Sequence, residues 1–141
     1  MAVSRLCLDT TAYSRLMRGQ PKLQERLESA DEILVPVTVL GELYAGFQGG
    51  RRLAENLALL AAFRSQPGVV VVAVTDNVAE RYAAIVTSLK RQGTPIPTND
   101  IWIAATALEN GGRVVAYDSH FEAVPGLIVD CLLYTSPSPR D

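Results

Sequence analysis

The chain has 141 residues, 13 basic and 15 acidic side chains and a net charge of −2, so it is the size of one domain and lacks the broad basic face that grips nucleic-acid phosphates through bulk charge. Apolar residues make up 48%, yet the longest apolar runs, VVVVAV and LALLAAF, fall well short of the ~20 residues of a membrane span. With two cysteines, Cys7 and Cys131, and one histidine, His120, there is no Cys/His set for a zinc site and no two-histidine acid–base ribonuclease mechanism.

In chain order, short β-type runs alternate with helical patterns. VSRLCLD (3–9) reads as a strand in which Cys7 is a small core hydrophobe, and Thr11 to Arg18 and Pro21 to Ser29 read as a helix pair. EILVPV (32–37) is the next strand, with Thr38 expected to cap a helix from Val39 to about Gly46. After the break QGG, Arg51 to Arg64 carries apolar residues at 53, 57, 60 and 63, which is helical spacing, and QPG (66–68) is a turn. VVVVAV (69–74) is uniformly β-prone and predicts a strand covered on both faces. Thr75 caps a helix over Asp76 to Arg91, QGTPIP (92–97) is a loop, and a helix from about Asn99 to Glu109, capped by Thr98, ends at Asn110 and two glycines. RVVAYD (113–118) is a strand and GLIVD (126–130) a further one. The segment 132–141, with two Ser-Pro steps and no periodicity, is expected to be a disordered tail of junction-like composition after a domain spanning 1–131. Met1 runs into the first strand without a signal-peptide pattern, so a cytoplasmic protein with no membrane partner is expected.

Strands separated by helices predict an α/β fold with a central, mostly parallel sheet flanked by helices in three layers, whose binding crevice lies at the carboxyl ends of the strands. Asp9 ends the first strand and Asp118 the RVVAYD strand; Glu42 lies one turn into the helix after EILVPV, and Asp100 sits in the first turn of the IWIAATAL helix. Taken singly, Asp9 could cap a helix, Glu42 could face solvent, Asp118 could start a turn and Asp100 could simply offset the helix dipole. In a parallel sheet all four converge. Four close carboxylates cannot all stay ionised without a counter-charge, and a hard divalent cation, Mg2+ or Mn2+, supplies it together with phosphoryl-transfer chemistry.

The stretches LDTTAY, VTVLGELYAG, PTNDIWIAATAL and VVAYDSHFEAVPGL, in this order and spacing over residues 3 to 130, resemble the PIN-domain ribonucleases and in particular the VapC toxins of bacterial toxin–antitoxin pairs. The resemblance implies a Mg2+- or Mn2+-dependent endoribonuclease acting on RNA, with Asp9, Glu42, Asp100 and Asp118 as the acidic set and with Thr10, Thr98 and Asn99 in support. It also implies a homodimer and a cognate VapB-like antitoxin whose C-terminal segment lies across the groove. Ser119 departs from the arginine or asparagine common after the last acid, and the segment beyond VPGLIVD is unlike the family.

Two other readings fit the residues less well. An aspartate-nucleophile phosphatase needs a second acid two residues after Asp9, where this chain has Thr11; a silent binding module has no reason to gather mutually repelling carboxylates. His120, beside Phe121 in a turn-like stretch, reads as a partly exposed residue rather than a base, and Arg51 and Arg52 as solvated helix-surface charges.

Overall fold

The computed structural model describes residues 3–132, so the expected tail lies outside the described residues apart from Leu132. That residue donates its backbone N–H to the Ala116 carbonyl at 2.7 Å and packs against the core.

Five strands form one parallel sheet: β1 (Arg5–Leu8), β2 (Glu32–Pro36), β3 (Val69–Val72), β4 (Arg113–Ala116) and β5 (Val129–Cys131), in the spatial order β3-β2-β1-β4-β5. The predicted mostly parallel sheet is therefore entirely parallel. From β1 the chain steps outward through β2 to β3, then crosses back to lay β4 on the other side of β1. The direction of winding thus reverses between β1 and β4, and a crevice opens there at the carboxyl ends of the strands. The register places Leu8 opposite Val115, so the residues leaving both strands emerge side by side.

Six helices join the strands: α1 (Thr10–Met17), α2 (Pro21–Glu28), α3 (Val37–Gln48), α4 (Leu53–Arg64), α5 (Asp76–Gln92) and α6 (Thr98–Glu109). The central strands are buried from Leu6 to Leu8 and from Val114 to Ala116, and around them pack Leu23 and Leu27 of α2, Val39 and Leu43 of α3, Leu60 and Phe63 of α4, and Ile103 to Ala107 of α6. Thr106, wholly buried in α6, satisfies its hydroxyl by donating to the Trp102 carbonyl one turn back at 2.8 Å. Tyr82 of α5 stacks on Trp102, ring centroids 3.9 Å apart, and Arg81 pairs with Glu109 at 2.7 Å, locking α5 to α6. Where α6 turns into β4, Gly112 leaves room for the facing strands, because a Cβ there would lie 2.9 Å from the Leu34 side chain. Helix α5 ends on Gly93 in the left-handed conformation at φ 70°.

Three local expectations need correction. The helix predicted from Val39 begins at Val37 and that predicted from Asn99 begins at Thr98, so neither Thr38 nor Thr98 is a cap; the N-cap positions belong to Pro36 and Pro97, at φ/ψ near −59°/141° and −57°/140°. A proline there fixes φ and ends the preceding extended segment, and the helix starts without a side-chain acceptor. The run at 69–74 is not covered on both faces. β3 is an edge strand paired only with β2, and Val70 is 41% exposed. By contrast Thr75 caps α5 as expected, its hydroxyl accepting from the Val78 N–H at 3.3 Å.

Candidate active site

The two strands on either side of the reversal each release an aspartate. Asp9 follows β1 directly and is only 4% exposed. It caps α1, with Oδ1 accepting from the Ala12 N–H at 2.7 Å, so the capping role weighed for it is real and fixes the carboxylate at the sheet edge. Asp118 lies two residues beyond β4. Its Oδ1 accepts from the His120 N–H at 2.9 Å, an Asx-type turn that opens the 3-10 turn His120–Ala123.

The other two acids come from helices that end at the same edge. Glu42 lies on α3 between the buried Leu40 and Leu43, and its carboxylate accepts a hydrogen bond from the Thr10 hydroxyl at the start of α1. Asp100 sits in the first turn of α6, where the helix dipole favours its charge, and its Oδ2 is 2.9 Å from His120 Nδ1. The same ring nitrogen is 3.5 Å from Asp118 Oδ1. Each of the four carboxylates therefore has one oxygen tied to the protein, and its second oxygen accepts no hydrogen bond from the described residues.

The charges act on one another. Burial pushes the Asp9 carboxyl up from 3.8 to about 7; the Ala12 N–H opposes this, and the charges of Asp118, Asp100 and Glu42 add to it. Asp100 is also raised, first by burial, against the hydrogen bond from His120, with Asp118 and Glu42 contributing further repulsion. Such a set favours a cation among its free oxygens. One ligand atom each from Asp100, Asp118 and His120 lies within 4.8 Å of the others, a spacing one ion can bridge. Beside Asp118, the Arg15 guanidinium lies over the Tyr117 ring at 4.3 Å from its centroid.

Of the residues expected from the sequence, Asp9, Glu42, Asp100 and Asp118 share one field, and Thr10 supports them through Glu42. Thr98 is exposed and Asn99 half-buried, and no hydrogen bond links either side chain to the four acids. Arg52 is a solvated surface charge as expected, lying 3.9 Å from Glu55 one turn along α4. His120 is closer to the chemistry than the sequence reading allowed. Its ring is partly exposed, but Nδ1 lies between two of the acids. The signal was the Asp-x-His spacing, because the turn begun by Asp118 carries position 120 back over the strand end. A groove of about 370 Å3 lies at the opposite sheet edge, between Leu16, Leu27, Ile33 and Phe63, and holds none of the four acids.

A five-stranded parallel sheet with acids gathered where its winding reverses is the architecture of a PIN domain, and the PIN domain family model matches residues 6–127; the chain belongs to that family. Over 99 residues it is 32% identical to Ribonuclease VapC4 of Mycobacterium tuberculosis, an alignment covering 67% of this chain and 73% of that protein. Ribonuclease VapC5 of the same organism is 29% identical over 119 residues, covering 84% and 87% of the two chains. The fold superimposes on a chain of DNA-bound VapBC from Salmonella typhimurium with a TM-score of 0.81 and 26% identity, over 92% of this chain and 98% of that one.

Proposed function

We propose that this protein is the toxin of a VapBC-type toxin–antitoxin pair, a metal-dependent endoribonuclease that hydrolyses RNA at the site formed by Asp9, Glu42, Asp100 and Asp118. The observation that carries the reading is the convergence of these four carboxylates at the strand reversal, each with one oxygen anchored and one available. The kinship with VapC ribonucleases supports the choice of RNA as substrate.

The donors fit a hard divalent ion. They are carboxylate oxygens, and Asp9 is too buried to ionise comfortably unless positive charge is brought to it. Asp9, Asp100 and Asp118 would hold Mg2+ or Mn2+, and the bound ion would supply charge to polarise the scissile phosphodiester and activate water. The protein's own part is positional. The Ala12 N–H stops the Asp9 carboxylate from rotating, and the packed face of α6 fixes Asp100. The Thr10 hydroxyl orients Glu42, whose free oxygen takes a proton from the attacking water as the new P–O bond forms. The P–O3′ bond then breaks and the leaving oxygen takes a proton from solvent, giving a 5′-phosphate and a 3′-hydroxyl.

Such a protein works within an assembly. Solved relatives are VapBC complexes, which supports a VapB-like antitoxin as the partner here. The exposed Leu53 and Leu57, one turn apart on α4, offer apolar surface for a partner chain, whether antitoxin or the second copy of a homodimer. The test is to map cleavage ends in total cellular RNA after brief expression of the protein, with Asp100→Asn as control. New 5′-phosphate ends that depend on Asp100 support the reading, whereas identical RNA ends with both proteins would leave only a binding module.

A further inference from the structure

His120 touches two of the acids, yet the carboxylate scheme gives it no task. The turn that carries its ring is held in place from two directions. Its backbone N–H is bonded to Asp118 Oδ1 at 2.9 Å, and the next side chain, Phe121, is fully buried and pins the 3-10 turn to the core. The imidazole consequently reaches back over the acids, with Nδ1 2.9 Å from Asp100 Oδ2 and 3.5 Å from Asp118 Oδ1.

These separations suit a shared ion as well as a hydrogen bond. In an octahedral site with bonds of roughly 2.1 Å, neighbouring donors stand about 3.0 Å apart. Asp100, Asp118 and His120 each present a ligand atom within 4.8 Å of the other two, so an ion can be reached by all three with small side-chain rotations.

Resting on the metal-dependent reading above, we infer that His120 is a nitrogen ligand of the divalent-cation site, joining Asp100 and Asp118, and that it biases the site toward Mn2+ over Mg2+. Mg2+ demands oxygen donors and gives up its waters reluctantly, whereas Mn2+ accepts an imidazole beside carboxylates. One ring nitrogen thus separates this site from an all-oxygen one.

The experiment uses the full chain with Mn2+ or Mg2+ alone as the probe. Pulsed electron paramagnetic resonance of the Mn2+-loaded protein reads a directly bound nitrogen as a 14N coupling, and calorimetric titration gives the two affinities. The wild type should show the coupling. His120→Gln, which offers an oxygen in place of nitrogen at a partly exposed position, should lose it while keeping its circular dichroism, and the ratio of Mn2+ to Mg2+ affinity should fall about tenfold. Tight Mn2+ binding without a 14N coupling, or an unchanged affinity ratio in His120→Gln, overturns the inference and leaves the carboxylate site standing. Failure of the wild type to bind either ion overturns the inference and the metal-dependent reading together.

Discussion

Asp9→Asn should make the metal-free protein more stable while destroying its activity. Asparagine keeps the size of the side chain and an oxygen for the Ala12 N–H, and it is as good an N-cap as aspartate, so α1 loses nothing. Its amide can donate to the surrounding acids instead of repelling them. The carboxylate it replaces titrates at about 7 in the folded chain rather than 3.8, a displacement equivalent to roughly 4 kcal/mol against the ionised form. The sign follows from proton uptake: between these two values the folded state holds a proton that the unfolded state has released, so stability falls as pH rises from about 4 through about 7. Above that window the whole penalty is present, and below it none. Urea unfolding in EDTA should therefore find Asp9→Asn more stable than wild type by roughly 2–4 kcal/mol at pH 8, with the gap closing steadily toward pH 4. A saturating divalent ion should restore much of the wild type's deficit and do little for the variant. A variant equal to or weaker than wild type at pH 8 without metal would refute the claim that Asp9 is buried among like charges.

Four further outcomes are expected. Adding Mg2+ or Mn2+ at about a hundred times its dissociation constant should stabilise the wild type by roughly 2.7 kcal/mol in a thermal-shift assay, and EDTA should stop cleavage. Thr10→Val removes the donor that orients Glu42, and should lower the cleavage rate roughly 10- to 100-fold with the fold intact by circular dichroism. Phe121→Ala opens a cavity under the turn that carries Asp118 and His120, and chemical denaturation should show a loss of roughly 3–5 kcal/mol along with weakened metal binding. Cys7, buried and with its thiol pushed well above the ordinary range, first by burial and then by Asp9, should resist a thiol reagent in the native state and react only on unfolding.

The acidic set was legible because it rests on two regularities that sequence carries well. Alternation of strands and helices implies a parallel sheet, and a parallel sheet places every strand-to-helix exit on one edge; Asp9 and Asp118 needed only to be seen as the residues that follow RLCL and RVVAY. Other features depend on where a segment lies in the finished sheet. Four valines read the same whether their strand is central or at the edge, and only the pairing of β3 with a single neighbour decides that Val70 meets solvent. The helix starts were misplaced for a local reason. In VPVT and IPTND a threonine follows a proline closely, and threonine's preference for the cap position outweighed the weaker signal that proline itself can end the extended segment. The sequence reading of His120 as a partly exposed residue misses its contact with Asp100, because that contact spans 20 residues and is made by a turn, which no periodicity announces.

The anchoring of the four acids explains how a costly site coexists with a marginally stable domain. Gathering carboxylates at one sheet edge opposes folding, and any of them left loose would turn outward to water. Each is instead held by a contact the fold uses anyway: Asp9 caps α1, Asp100 meets the positive end of α6, Asp118 makes the turn after β4, and Glu42 ties α3 to α1 through Thr10. The anchors of Asp9, Glu42 and Asp118 act through one oxygen and through geometry that an amide reproduces, whereas binding of a cation needs the negative charge. Amide substitutions at these three positions should therefore separate the two properties, leaving unfolding midpoints in EDTA level or raised while metal binding is lost. A site in which the same substitutions lowered metal-free stability by several kcal/mol would be one whose carboxylates serve the fold through their charge, which would refute the separation.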